Sequence, residues 1–107
     1  MNIIISNEAR KDIEEIFTYI ASDSLFYAKK TTQNIRSSIY ILKHSPYIGR
    51  YLPELNTKHL RELLYKSYRI IYKISESKNK IYILSILHSK RNISPFLSSY
   101  IKDPFNF

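Results

Sequence analysis

The chain is built around the stretch from Arg61 to Arg91, RELLYKSYRIIYKISESKNKIYILSILHSKR. Aromatic and β-branched residues dominate it, and short polar segments divide it into runs of strand length. With the residues just before it, the stretch predicts three strands, at His59–Tyr65, Tyr68–Ile74 and Lys80–Leu87. The third run is apolar at nearly every position, which predicts a central strand covered on both faces.

Cationic side chains and one histidine that could take part in binding or catalysis lie on these strands or beside them. Lys66 and Ser67 form a tight connection that predicts a hairpin. Because strand side chains alternate, Arg69 is predicted on the face opposite Tyr68 and Ile70. The candidate working groups of this basic sheet are Arg61, Arg69, His88, Lys90 and Arg91.

The sequence before the sheet predicts a short strand and two amphipathic helices. The strand is Asn2–Ile5, the first helix is capped by Ser6 or Asn7 and ends near residues 21–23, and the second extends from about Ser24 to Lys43. The apolar stripes are Ala9, Ile13, Ile16, Phe17 and Ile20 in the first helix and Ala28, Thr32, Ile35, Ile39 and Leu42 in the second. The short connection implies a helical hairpin that packs on the sheet.

A loop and a short tail complete the pattern. Pro46, Gly49 and Pro53 mark a shaped loop before the sheet. Gly49, the only glycine, is predicted to supply a backbone angle that a side chain would resist. The tail has helical spacing of apolar residues, but Pro95 and the ending DPFNF predict at most a short helix.

Length and composition bound the class of protein. A chain of 107 residues is expected to form one domain, with the hairpin at about 7–44, the sheet at about 59–88 and a short segment at 92–107. The absence of Cys excludes disulfides and Cys-based zinc sites. The apolar run Ile3–Ile5 is too short for a signal-peptide core or a membrane span, so a cytoplasmic protein without membrane contact is expected.

The formal net charge of +8 is unevenly distributed. Residues 1–23 contain two basic and five acidic side chains, whereas residues 24–107 contain fifteen basic and four acidic ones. Such a surface favours an anionic partner, either nucleic acid or an acidic protein segment. A Lys-rich surface without a partner is the alternative.

Several short patterns follow one another in order and resemble the RelE/ParE family of toxins from bacterial toxin–antitoxin pairs. They are A-x-x-D-I-x-x-I-x-x-Y-I from Ala9 to Ile20, P-x-x-G-R from Pro46 to Arg50, R-E-L from Arg61 to Leu63, Y-R-I-I-Y from Tyr68 to Tyr72, and I-L-H-S-K-R from Ile86 to Arg91. The resemblance implies an α+β fold, with two helices packed on a mostly antiparallel sheet of about four strands. It also implies a cognate antitoxin that wraps and blocks the toxin, and through which alone the toxin reaches operator DNA.

Two activities occur in the family that this chain resembles. One branch cleaves messenger RNA on the ribosome, and the ParE-like branch poisons DNA gyrase. The P-x-x-G-R loop, with Arg50, and the ending L-H-x-x-R are similar to the ParE-like branch. The resemblance therefore favours a gyrase inhibitor with an mRNA endonuclease as the alternative. The candidate binding residues for target or antitoxin are Arg50, Arg61, Arg69, Lys90 and Arg91.

A metal-independent ribonuclease needs phosphate-binding cations and groups that move protons. Arg69 and Arg91 suit phosphate and match positions where the ribonuclease branch has catalytic arginines, and His88 titrates near neutral pH. Lys90 or Tyr100 are candidate assistants, but Tyr100 lies farther from Arg91 than the family pattern has its tyrosine. No cofactor is expected, and two-metal chemistry lacks carboxylates near these groups.

Each candidate also has a structural interpretation. Arg69 is able to pair with Glu62 across the hairpin, and His88 to be a buried histidine bonded to backbone. Lys90 and Arg91 could be solvated charges in a turn, and Tyr100 could be a packing residue. His44 and His59 are expected at the surface, and Glu8, Asp12, Glu14 and Glu15 on the solvated side of the first helix. A non-toxic, basic nucleic-acid-binding module is the further alternative for the whole chain.

Overall fold

The computed structural model describes residues 1–54 and 60–102, in which three helices and five strands are found. In chain order they are β1 (Asn2–Ile5), α1 (Asn7–Ala21), α2 (Leu25–Ile41), β2 (Arg50–Tyr51), β3 (Leu60–Tyr65), β4 (Tyr68–Ser75), β5 (Lys80–His88) and α3 (Ser94–Lys102). The strands form one sheet in the order β1-β5-β4-β3-β2, in which β1 pairs with β5 in parallel and the other pairs are antiparallel. The predicted α+β class is confirmed.

The two long helices begin at the predicted caps. The Ser6 hydroxyl accepts a hydrogen bond from the Ala9 amide at 3.1 Å, and Ser24 caps α2 in the same way. α2 ends at Ile41, short of the predicted Lys43. None of the described helices is long and apolar enough to cross a membrane.

α1 and α2 cover one face of the sheet, which we call the helix face. The predicted stripes supply its core, because Ala9, Ile13, Ile35, Ile39 and Leu42 are buried against the sheet. The sheet contributes Ile70, Tyr72, Ile81, Ile83 and Ile86 to the same core. The alternation predicted for β4 is confirmed, since Ile70 and Tyr72 lie in this core and Ile71 lies on the other face.

The opposite face of the sheet, the outer face, has a smaller core. It consists of Leu52, Leu60, Ile71, Leu84, Leu87 and Ile93, and Tyr82, Phe96, Leu97 and Tyr100 pack against it. α3 is the predicted short helix, and Pro95 is tolerated because it lies in the first turn, where its missing N–H is not needed. Burial on both faces makes β5 the predicted central strand.

The number of strands differs from the sequence prediction. The sheet has five strands rather than about four, because the predicted loop runs beside β3 for two residues, with Arg50 opposite Glu62 and Tyr51 opposite Arg61. The predicted start of the next strand at His59, and the surface position expected of it, lie outside the described residues. His44 is exposed, as predicted.

Candidate functional site

The cationic residues singled out in the sequence are distributed over three places rather than one. Arg50 and Arg69 lie on the outer face, and Arg61 lies on the helix face at the β2–β3 edge. His88, Lys90 and Arg91 lie together at the end of β5, in a cleft beside α1. The sheet therefore places Arg61 on the opposite face from Arg50 and Arg69.

On the outer face, Arg69 is held by two carboxylates. Its Nε donates to Glu62 Oε2 at 2.5 Å, while Nη1 and Nη2 donate to Glu54 Oε2 and Oε1, each at 2.7 Å. Glu62 is fully buried, and its other oxygen accepts from Arg50 Nε and Nη2, both at 2.7 Å. The pairing of Arg69 with Glu62 that the sequence allowed is therefore present, and Glu54 joins it.

The ion pair between Arg69 and Glu54 shifts the pKa values of both groups. The hydrogen bond from Arg69 holds the pKa of the Glu54 carboxyl below its usual value, and the same bond is the main cause that raises the pKa of Arg69. All three guanidinium nitrogens of Arg69 donate to carboxylates, so a phosphate would first have to displace Glu54. Whether Arg69 contacts a target or an antitoxin stays a prediction.

Arg61 has a different kind of environment, made of aromatic rings and backbone. Its guanidinium lies 4.5 Å from the ring centroid of Tyr51 and 5.2 Å from that of Tyr47. Nη1 donates to the carbonyl oxygen of Gly49 at 2.7 Å and to that of Tyr47 at 3.4 Å. Within the described ranges, no carboxylate oxygen lies within 4.0 Å of Arg61, so its charge is not neutralised by an ion pair there.

The loop that Arg61 contacts is fixed by a buried tyrosine. The Tyr72 hydroxyl accepts from the Gly49 amide at 2.9 Å and donates to the Pro46 carbonyl at 2.8 Å. Burial is the main cause that raises the pKa of Tyr72. The Tyr47 hydroxyl donates in turn to the Glu76 carboxylate in the β4–β5 turn. These hydrogen bonds hold the exposed loop in one defined conformation.

Gly49 is needed for space and not for a backbone angle. Its φ is not positive, so the angle predicted from the sequence is wrong. A Cβ built on Gly49 would lie 2.6 Å from the carbonyl oxygen of Glu62 and against the Tyr72 side chain, closer than real Cβ atoms approach. Glycine therefore allows the loop to lie flat on the sheet.

The cleft beside α1 has a volume of about 540 Å³ and walls of both charges. Asp12, Glu15, Ile16 and Tyr19 of α1 form one wall, and Tyr68, Ile86, His88, Lys90 and Arg91 form the other. His88 is half-buried rather than buried; its Nδ1 accepts from the Lys90 amide at 3.2 Å, and its ring meets Tyr68 edge-on. The hydrogen bond to backbone expected for His88 is therefore present, and it leaves the Nε2 atom of the ring for other partners.

Asp12 is not on the solvated side of α1, contrary to the expectation for the acidic cluster. Its Oδ2 accepts from the Ile86 amide at 2.9 Å and from the Ser85 hydroxyl at 2.8 Å. The register between β4 and β5 is irregular here, since Ile71 pairs with Ser85 but Tyr72 pairs with Ile83. Asp12 therefore satisfies a strand amide beside this bulge, and burial is the main cause that raises the pKa of its carboxyl.

Tyr100 packs on the outer face, on the other side of the sheet from His88. Its ring stacks on Phe96 at 6.3 Å, and burial raises the pKa of its hydroxyl. The packing expected from the sequence is confirmed. Arg69 and Tyr100 thus share the outer face, while His88 and Arg91 share the cleft, and the proposed catalytic set of Arg69, His88 and Arg91 does not converge on one face.

Sequence reasoning missed several residues around these sites. The burial of Asp12 had a signal, because Asp12 is three residues after Ala9 and four before Ile16 and so falls on the apolar stripe. Glu54 and Tyr47 had none, since they lie in a loop whose path depends on tertiary contacts. In the described part of the chain, no group of three or more His, Asp and Glu side chains is placed to hold a metal ion.

Comparisons with known proteins agree with this architecture. Residues 3–93 match the sequence model of the ParE toxin of the type II toxin–antitoxin system parDE. Among solved structures, the chromosomal ParDE system from P. aeruginosa superposes with a TM-score of 0.70 and 19% identity, over 84% of this chain and 97% of that one. A comparison with curated proteins gives no significant match.

Two further structures show the same fold at low identity. The toxin–antitoxin complex RelBE2 from Mycobacterium tuberculosis has a TM-score of 0.63 and 16% identity, over 81% of this chain and 95% of that one. The isolated RelE toxin of E. coli has a TM-score of 0.62 and 14% identity, over 97% of this chain and 98% of that one. The α+β architecture is thus shared by toxins of both names.

Proposed function

Because the chain belongs to the ParE toxin family of type II toxin–antitoxin systems, we propose that it stops growth by binding DNA gyrase and that a cognate antitoxin neutralises it. The match covers residues 3–93 and therefore includes both long helices, strands β2 to β5 and all of β1 except Asn2. The match therefore supports the assignment of the whole domain as a toxin. The choice of gyrase rests on the site geometry below.

The separation of the candidate catalytic groups favours binding over RNA cleavage. A ribonuclease needs its phosphate-binding cations and its proton-transfer group on the same side of one scissile bond. Here Arg69 lies on the outer face between two carboxylates, whereas His88 and Arg91 lie in the cleft beside α1. This separation is the observation that carries the proposal.

We assign contact with gyrase to the surface around Arg61, which we call the loop surface: Tyr47, Ile48, Tyr51 and Arg61. Tyr47, Ile48 and Tyr51 are exposed although they are large and apolar. Tyrosine and arginine are enriched where protein partners bind tightly, and a loop already fixed by Tyr72 loses little entropy on binding. A protein carboxylate would complete the environment of Arg61.

Purified toxin and gyrase test the proposal directly. Wild-type toxin should inhibit supercoiling and accumulate cleaved DNA, and Tyr47→Ala should need at least tenfold more toxin for half-inhibition. Tyr19→Ala is the matched control, since it removes another exposed tyrosine from the cleft instead. It should inhibit like wild type. Gyrase that is untouched by wild-type toxin at any concentration would refute the proposal.

The cleft supports cleavage of messenger RNA as the second candidate, because His88, Lys90 and Arg91 meet there. An imidazole with one nitrogen available and two cations are suited to moving a proton near a phosphate. Primer extension on cellular messages after induction is the test. Codon-linked cuts that disappear in His88→Ala and Tyr19→Ala, together with unaffected gyrase, would establish this alternative.

A further inference from the structure

The cleft between α1 and the end of β5 has room for a small organic molecule. Its volume of about 540 Å³ lies within the range of ligand pockets in proteins. Tyr19 forms part of the α1 wall, and Tyr68 and His88 form part of the strand wall. Tyr68 and His88 are opposite one another in the β4–β5 register, and their rings meet edge-on with centroids 5.4 Å apart. The cleft therefore offers aromatic surface on both sides.

The two walls of the cleft carry opposite charges that do not pair with each other. Lys90 and Arg91 are exposed on the strand wall, and Glu15 is exposed on the α1 wall. Within residues 1–54 and 60–102, none of these three side chains has an ion-pair partner within 4.0 Å. A ligand with hydrogen-bond donors at one end and an anionic group at the other can therefore bridge the walls.

Glu15 is the carboxylate that remains for a ligand. Asp12, three residues earlier on the same side of α1, already accepts hydrogen bonds from the Ile86 amide and the Ser85 hydroxyl. In the described part of the chain, the Glu15 carboxylate has no hydrogen bond, so both of its oxygens can accept side by side. Among the bases of RNA, guanine presents two adjacent donors on one edge, its N1–H and its 2-amino group, whereas the others alternate donors with acceptors.

We propose that this cleft binds a free guanine nucleotide, with the base against Tyr19 and Glu15 and the phosphate against Lys90 and Arg91. Aromatic side chains stack on bases, and arginine forms paired hydrogen bonds with phosphate. Only binding is involved, and no bond of the nucleotide is broken. The site goes beyond the proposed function, because gyrase contact was assigned to the loop surface and not to the cleft.

The aromatic and acidic groups distinguish a nucleotide from smaller ligands. Inorganic phosphate would contact Lys90 and Arg91 but would leave Tyr19 unused, and Glu15 would repel it. Guanosine would contact Tyr19 and Glu15 but would leave both cations unused. A guanine nucleotide engages both walls at once.

Calorimetry of full-length toxin with GMP tests the proposal. GMP should bind with a Kd below about 1 mM, and AMP, guanosine and inorganic phosphate should each bind about tenfold more weakly. Glu15→Gln should lower the ratio of the AMP Kd to the GMP Kd from about ten to about one without weakening inorganic phosphate. Lys90→Ala/Arg91→Ala should weaken GMP about tenfold and leave guanosine unchanged.

Two matched controls change exposed residues outside the cleft: Glu14→Gln for the carboxylate, and Lys29→Ala/Lys78→Ala for the two cations. Both should bind GMP like wild type. Tyr47→Ala, which alters the loop surface, should also retain GMP binding, so a failure of the gyrase assignment would leave this result intact.

No binding of GMP to wild-type toxin up to about 10 mM would overturn the proposal. So would GMP binding that Glu15→Gln and Lys90→Ala/Arg91→Ala leave unchanged. Tighter binding of a short single-stranded RNA than of GMP would overturn it as well, since the cleft would then serve the polymer.

Discussion

Among single residues, Glu62 has the most consequential position. Its carboxylate is fully buried between Arg50 and Arg69, so each arginine satisfies one of its oxygens. Removing one partner from such a cluster costs more than the ion pair itself contributes, because a charge is left buried without compensation. Arg69 is thus a structural partner of Glu62 whatever else it contacts.

Glu62→Gln is expected to lower the free energy of unfolding by about 3 kcal/mol, at the lower end for a broken buried pair because Arg69 keeps Glu54. Urea denaturation of the toxin measures it. Glu14→Gln, at an exposed position of α1, should change the free energy by less than about 0.5 kcal/mol. Equal effects of the two substitutions would contradict the burial of Glu62.

Asp12 gives an unusual pH dependence. Because burial raises the pKa of its carboxyl, the folded protein binds this proton more tightly than the unfolded chain does, and ionisation weakens folding. The free energy of unfolding of the wild type, relative to Asp12→Asn, should therefore decrease as pH rises from 3.8 through the higher folded pKa. Urea titrations of both proteins over this range measure the difference, and an increase with pH would show the opposite sign.

At the element scale, the loop from Pro46 to Tyr51 behaves as part of the sheet. Tyr72→Phe removes the hydroxyl that bonds the Gly49 amide and the Pro46 carbonyl, and leaves a buried N–H without a partner. The expected loss of stability is about 1–3 kcal/mol. The Gly49 amide should also exchange its hydrogen faster. Tyr19→Phe, at an exposed position, controls for loss of a hydroxyl and should change neither quantity.

Elements with strong periodicity were predictable from the sequence, and contacts between distant elements were not. The stripes of α1 and α2, their caps and the alternation of β4 follow from local spacing. β2 was missed because two residues of a loop have no period of their own. The pairing of Arg69 with Glu54 depends on where the chain places Glu54 after β2, and local residue types do not determine that position.

The candidate site was predicted as a set of residue types but not as an arrangement. The sequence identified each cationic residue, but it predicted the face of the sheet only for Arg69. Alternation placed Arg69 opposite Tyr68, which is correct. The bulge near Ser85 is a tertiary feature that changes which side chains of β5 face α1. The sequence therefore could not predict which residues surround His88 in the cleft.

At the scale of the whole molecule, the charge of +8 should accelerate encounter with an acidic antitoxin. Raising the ionic strength from about 0.05 M to about 0.5 M is expected to lower the association rate constant by roughly tenfold, with a smaller change in the dissociation rate constant. Stopped-flow mixing of toxin and antitoxin measures both. An association rate that is insensitive to salt would show that the charge does not steer this encounter.

The parallel pairing of β1 with β5 has a consequence for synthesis. β1 ends at Ile5, and its partner strand begins at Lys80. At translation rates of roughly 5–20 residues per second, the first strand leaves the ribosome several seconds before the strand that pairs with it. The sheet is therefore closed only when most of the polypeptide has emerged. An antitoxin that is already present in the cell therefore has several seconds in which to meet the nascent chain before its sheet closes.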